Sequence, residues 1–269
     1  MKKAGKIAQC LLFLTVRHNF YYNITMHEEF VRSAALFGEE AMQKLYGAKV
    51  ALFGVGGVGG WCAEALARSG VGAIDLFDGD AVSLSNMNRQ SVALHSTVGM
   101  PKAEVMAERI RDINPACVVN AFNVFIDAST IGGVDFSQYN CVLDAVDTVS
   151  AKVLIIEECV RRGIHIVSCM GAGNKRDITA FRVADISKTS VCPLARAVRS
   201  ALKKRGIYSG VRAVFSEELP ARTVVEDGPS SRHIPASNVF APAAAGLMLA
   251  QEAVFFITGA GQGDTKKGR

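Results

Sequence analysis

Four charged side chains stand behind a glycine-rich turn, in an order that suits chemistry at a nucleotide's phosphates. The turn is Gly54-Val55-Gly56-Gly57-Val58-Gly59. Its glycines permit a tight bend and close backbone approach, and a helix starting there would aim free N–H groups at phosphate oxygens. Asp78 follows where an acid binds ribose hydroxyls, with Asp80 beside it. To this point an NAD site and an ATP site fit equally well. Activating ATP also requires cations around the triphosphate and a carboxylate for magnesium. Arg89, within Asn86-Met87-Asn88-Arg89-Gln90, and Lys102, after Pro101, supply the cations. Asp144 and Asp147 close an apolar run, and a carboxylate at a strand's carboxyl end is a natural magnesium ligand. Each has a plain structural alternative: a surface ion pair for Arg89, a solvated first helical turn for Lys102, a helix cap for Asp144. Together, in this order, they argue for ATP over NAD.

The elements that must carry these residues can be read from periodicity. Apolar runs at 49–53, 73–77, 118–125, 141–146 and 164–169 read as buried strands. Helical patterns at 59–69, 101–112 and 150–162 lie between them, with Gly70 and Asn114-Pro115 as stop signals. This alternation predicts an α/β, Rossmann-like, doubly wound and mostly parallel sheet. After Gly171-Ala172-Gly173 the pattern changes to short strands at 178–184 and 211–215 around a basic helix at 193–205. A polar loop, 226–237, precedes an apolar helix, 240–257. That helix is nearly long enough to span a bilayer, but Gln251 and Glu252 inside it favour a core helix and argue against a membrane role. The expected organisation is an extension at 1–25, an ATP-binding core at 26–175, a smaller C-terminal strand-and-helix extension facing the substrate at 176–263, and a basic tail at 264–269.

Charge and cysteines narrow the classes further. Most of the net charge of +5 comes from Lys2, Lys3, Lys6 and Arg17 and from the C-terminal tail, so the body is close to neutral. A protein that coats DNA is therefore not indicated, and an RNA contact must come from a local patch. Arg196, Arg199 and Lys203 share one face of the 193–205 helix, and Lys204 and Arg205 end it. A solvated helix end is the plain alternative. The seven cysteines include no C-x-x-C pair, so no zinc knuckle is expected and a reducing cytoplasm suits them. Cys192 precedes Pro193 with no histidine beside it to lower its pKa, a poor nucleophile signal. The lysines before the apolar stretch 7–16 imitate an export signal, but no small-residue cleavage site follows.

The motif series resembles the ThiF-type adenylating enzymes: G-x-G-G-x-G, D-x-D, S-N-x-N-R-Q, G-x-P-K, N-P and D-x-x-D, from Phe30 to Gly173. The resemblance implies that Gly54, Gly56, Gly57, Gly59 and Asp78 form the nucleotide floor, with Asp80 and Gln90 nearby. It implies phosphate contacts from Asn86, Arg89 and Lys102, magnesium on Asp147, and a further cofactor contact from Asp144. Arg32, in R-x-x-x-L-x-G, matches an arginine that such enzymes lend across a homodimer interface. Thr148 departs from the asparagine that many members carry there. The second half, including Gly171-Ala172-Gly173, Val214-Phe215-Ser216-Glu217-Glu218 and Ala236-Ser237-Asn238-Val239-Phe240-Ala241-Pro242, is similar to the tRNA threonylcarbamoyladenosine dehydratases. That branch implies ATP-dependent cyclisation of the threonylcarbamoyl group in tRNA, with the Arg196 helix facing the tRNA, and allows a sulfur-transfer accessory protein. The alternatives are activation of a small sulfur carrier ending in Gly-Gly and, further off, an NAD-dependent oxidoreductase.

Overall fold

The apolar runs become strands in the computed structural model, which describes residues 27–226 and 233–260. In chain order the helices are α1 (Val31–Phe37), α2 (Glu39–Tyr46), α3 (Gly59–Arg68), α4 (Lys102–Ile113), α5 (Val149–Arg162), α6 (Pro193–Lys203) and α7 (Phe240–Thr258). The strands are β1 (Lys49–Phe53), β2 (Ala73–Phe77), β3 (Val118–Phe122), β4 (Cys141–Asp144), β5 (Ile166–Cys169), β6 (Phe181–Asp185), β7 (Arg212–Ser216) and the short pair β8 (Val224–Glu226) and β9 (His233–Pro235). Seven of them form one sheet in the order β3-β2-β1-β4-β5-β7-β6, parallel except for β6 against β7.

Alternation along β1 explains the layers. Val50 and Leu52 enter one apolar core, under α2, α3, α4 and α7, whereas Ala51 and Phe53 enter the other, under α5 and α6. All four are fully buried, as expected of a parallel strand covered on both faces. The final helix, α7, is long and apolar enough to cross a membrane by length and composition. Here Ala245, Leu249 and Ala253 are buried in the first core. A Cβ on Gly246 would stand 2.3 Å from the Val58 carbonyl oxygen, so the two backbones touch at the start of α3.

The structure departs from the sequence reading at several boundaries. β3 and β4 stop at Phe122 and Asp144, because the next residues turn out over the carboxyl edge of the sheet. Residues 178–180 form a 3₁₀ turn before β6, with the Asp177 carboxylate accepting from the Thr179 N–H. At the polar loop expected over 226–237, Glu226 closes β8 and His233–Pro235 form β9, and these two strands pair antiparallel. The expected boundary near 175 does not divide the sheet, since β7 pairs with β5 through Val167↔Arg212 and Ser168↔Ala213. The segments 1–25 and 264–269 lie outside the described residues.

Candidate active site

The carboxyl ends of β1 to β5 open into a cleft of about 790 Å³. Crossing the sheet, it is lined by residues 124–126 after β3, by Asp78 and Asp80 after β2, and by the glycine turn after β1. Asp147 and Thr148 follow after β4, and residues 169–175 at the end of β5. β1 lies between β2 and β4, where the winding reverses, which is where open α/β sheets bind ligands.

The glycines serve different purposes. Gly54 has φ +87°, and a Cβ there would lie 2.8 Å from the Ala145 carbonyl oxygen. At Gly59 a Cβ would meet the Gly54 carbonyl oxygen at 1.8 Å. These two close the turn. Gly56 differs: its nearest protein atom would be Gln90 Nε2 at 3.9 Å, so its missing side chain leaves room in the cleft. Gly57 lines the cleft too, but a Cβ there would press on Pro242 at 3.3 Å, so its smallness also seats α7.

Asp78 is anchored before any ligand arrives. Its carboxylate accepts from the Val55 N–H (2.6 Å) and the Asp80 N–H (2.9 Å). Burial pushes its pKa above the usual carboxylate value, and those two N–H groups oppose the shift. Lys102, only 5% exposed, donates to Asp80 Oδ2 at 2.8 Å, so its charge is shared within the cleft rather than solvated. Asn86 accepts from the Ser83 N–H and holds the short turn that presents Arg89. The Arg89 guanidinium donates to the Ser85 carbonyl and Asn88 Oδ1, and makes no ion pair with any described carboxylate. Gln90 is buried with Oε1 unpartnered. Asp147 is exposed at the cleft wall. The arrangement can place cations and a free carboxylate around a polyphosphate.

Three expected site residues, Asp144, Arg199 and Arg205, have protein partners of their own. Asp144 is fully buried and does not line the cleft: Oδ2 pairs with Lys152 Nζ at 3.0 Å and accepts from Ser168, while Oδ1 accepts from the Val146 N–H. As placed, its partners are Lys152, Ser168 and the Val146 N–H, through which it holds the 145–147 turn. Arg199 turns inward to the Thr189 carbonyl and hydroxyl, and the exposed Arg205 pairs with Glu157, which leaves Arg196, Lys203 and Lys204 exposed and without an ion pair to any described carboxylate. Arg32 is exposed on α1 and does not line this chain's cleft. Sequence reasoning missed Lys152, Phe125, Asn174 and Lys175. A lysine on the apolar face of the 150–162 helix signalled the first, and the run Gly173-Asn174-Lys175 signalled the last two.

Comparison with known proteins accords with this geometry. The ThiF family model matches residues 30–268. The chain belongs to the ThiF family. Within it, the chain is 44% identical over 234 residues to a tRNA threonylcarbamoyladenosine dehydratase of Bacillus subtilis, covering 83% of this chain and 92% of that one. It is 43% identical over 198 residues to the Escherichia coli protein of the same name, covering 71% and 74%. Among solved structures it resembles that of E. coli tRNA N6-threonylcarbamoyladenosine dehydratase, TcdA, in complex with ATP. The TM-score is 0.79 at 37% identity, covering 90% of this chain and 99% of that one. This ThiF chain therefore shares with those relatives the second half of the molecule as well as the nucleotide fold.

Proposed function

We propose that this ThiF-family protein is an ATP-dependent enzyme that dehydrates and cyclises the threonylcarbamoyl group of threonylcarbamoyladenosine at position 37 of tRNA. The observation that carries the reading is one continuous cleft running from Asp78 past the glycine turn to Lys175. It has room for a nucleotide and, beyond its phosphates, for a second substrate. The extent of likeness to the dehydratases, through both halves of the chain, supports the choice of substrate.

In the proposed reaction the modification's carboxylate oxygen attacks the α-phosphorus of ATP, and the bond to pyrophosphate breaks. An internal nitrogen or oxygen of the modification then attacks the acyl carbon. The acyl–oxygen bond to AMP breaks, a proton is lost, and the ring is closed with net loss of water from the base. Asp78 binds ribose, Arg89 and Lys102 offset charge on the phosphates, and Gly56 leaves space for them. Asp147 is the residue suited to hold magnesium, which with phosphate oxygens and waters would polarise the phosphates. No enzyme thiol is required. We further infer a cytoplasmic homodimer, in which Arg32 serves the partner's cleft, and a tRNA contact on the exposed part of α6.

The test is nucleoside mass spectrometry after incubation with modified tRNA, ATP and magnesium. The expected product has lost one water, with AMP and pyrophosphate released. Pyrophosphate exchange stimulated by a Gly-Gly sulfur carrier instead of tRNA would sink the reading. Thermal stabilisation by NAD but not ATP would point to the oxidoreductase.

A further inference from the structure

Of the two non-glycine residues with positive φ among the described ones, Asn174 (+57°) lines the cleft and Val191 (+59°) directly precedes Cys192, which also lines it. Such conformations persist only where the surroundings over-determine them, and they cluster at functional sites. The surroundings of Asn174 do so. Its N–H donates to the Ala236 carbonyl (2.7 Å), and its carbonyl accepts from the Ala221 N–H (2.9 Å). The next carbonyl, of Lys175, accepts from Asn238 Nδ2 (3.1 Å). The Glu218 carboxylate takes the N–H groups of Arg176 and Asp177. Every backbone group of this turn named here has a partner, yet Asn174 Oδ1 is buried with none.

Lys175 is equally unusual. It lines the cleft, is 3% exposed, and its ammonium donates to the Glu218 carbonyl oxygen, a neutral acceptor. It makes no ion pair with any described carboxylate. Its direct partner is thus a neutral carbonyl, and the Glu218 carboxylate acts on it only without an ion pair. A cation buried in this way is costly, and a ligand carboxylate would offset that cost. Position along the sheet supports such a ligand. The turn follows β5, which lies two strands from β1 and the glycine turn, a separation of roughly 10 Å at the usual strand spacing.

We propose that Asn174 and Lys175 form the receptor for the acyl substrate's terminus, with the Lys175 ammonium pairing with the carboxylate to be adenylated and Asn174 Oδ1 accepting from the N–H next to it. This rests on the adenylating function above, but not on which substrate is adenylated. The threonylcarbamoyl group and a Gly-Gly tail both end in –NH–CH(R)–COO⁻, so one acceptor and one cation suit either. The receptor then orients one carboxylate oxygen toward the α-phosphorus while the phosphate cations hold the nucleotide.

The experiment measures ATP affinity and kcat/KM for modified tRNA in Lys175→Met, Lys175→Arg and Asn174→Gly. Lys175→Met should leave ATP affinity within about twofold and lower kcat/KM about 100-fold, as for loss of one partner of a buried charged pair. Lys175→Arg should recover at least a tenth of the wild-type value. Burial lowers the Lys175 pKa, with Cys192 and Glu218 opposing the shift. Wild-type kcat/KM should therefore fall on the alkaline side earlier than an ordinary lysine allows, and Lys175→Arg should abolish that fall. Asn174→Gly keeps the positive φ and should lose about tenfold through the missing acceptor. Where Lys175→Met does not fold, the other two variants carry the test. A Lys175→Met enzyme within threefold of wild type, a parallel loss of ATP affinity, or an unchanged alkaline limb in Lys175→Arg would overturn the proposal. If a Gly-Gly carrier drives exchange and tRNA does not, the substrate reading fails while the same variants still test the receptor. Silence with both overturns the receptor too.

Discussion

Three glycines in one turn should respond differently to the same added methyl group. Gly54→Ala places a Cβ at 2.8 Å from a carbonyl oxygen at φ +87°, and should cost about 1–3 kcal/mol of stability. Gly59→Ala, with its 1.8 Å approach, should be worse. Gly56→Ala meets no protein atom closer than 3.9 Å, so the melting temperature should hold while ATP affinity falls. Thermal melts paired with ATP titrations check this; a Gly56→Ala protein that binds ATP normally would show that phosphate does not pass there. The motif alone could not separate these roles, because a glycine needed for its backbone and one needed for empty space are the same letter. Asp144 and Asp147 illustrate the same limit. Both are acids at the end of one strand, and only the fold shows one turned into the core and the other left on the cleft wall.

At the level of elements, the seven strands of the main sheet were legible because each is a short apolar run between glycine or polar breaks. β8 and β9 lie in or beside a polar stretch and were not. Nor were the ends of the seven, since Ala145 and Val146 continue the run of β4 while lining the cleft. What holds that turn is the buried pair between β4 and α5. Lys152 Nζ meets Asp144 Oδ2 and the Cys169 carbonyl, and Asp144 Oδ1 takes the Val146 N–H. Lys152→Met should cost about 3–5 kcal/mol, because it leaves Asp144 buried without its cation. Combining it with Asp144→Leu should recover much of that stability in urea denaturation. ATP affinity should stay low in the double variant, since the Val146 N–H has lost its acceptor. Full recovery of both would mean that the pair serves stability alone.

For the whole molecule, surface charge and assembly decide the outcome. Reversal of Arg196 and Lys203 to Glu should weaken tRNA binding and flatten its salt dependence, by a slope of about two if each meets a phosphate. Arg199→Glu should instead loosen the 186–192 segment it ties through Thr189, visible as a lower melting temperature. Unaltered tRNA affinity in the double reversal would remove α6 from the interface. If Arg32 serves the partner's cleft, mixing Arg32→Ala with Asp147→Ala should restore up to about a quarter of wild-type activity, the statistical share of intact sites in mixed twofold dimers. Two inactive proteins that stay inactive on mixing would place Arg32 outside the reaction. The second half was read from sequence as an appendage because its motifs changed after Gly173, but strand pairing is long-range and a local pattern cannot show that β7 lies against β5. The seat of α7 has one more consequence. Pro242 rests on Gly57, and Gly246 on the backbone at Val58, so a helix some 190 residues further along the chain completes the wall around the glycine turn. A chain without α7 lacks part of that wall and should bind ATP more weakly than the full chain.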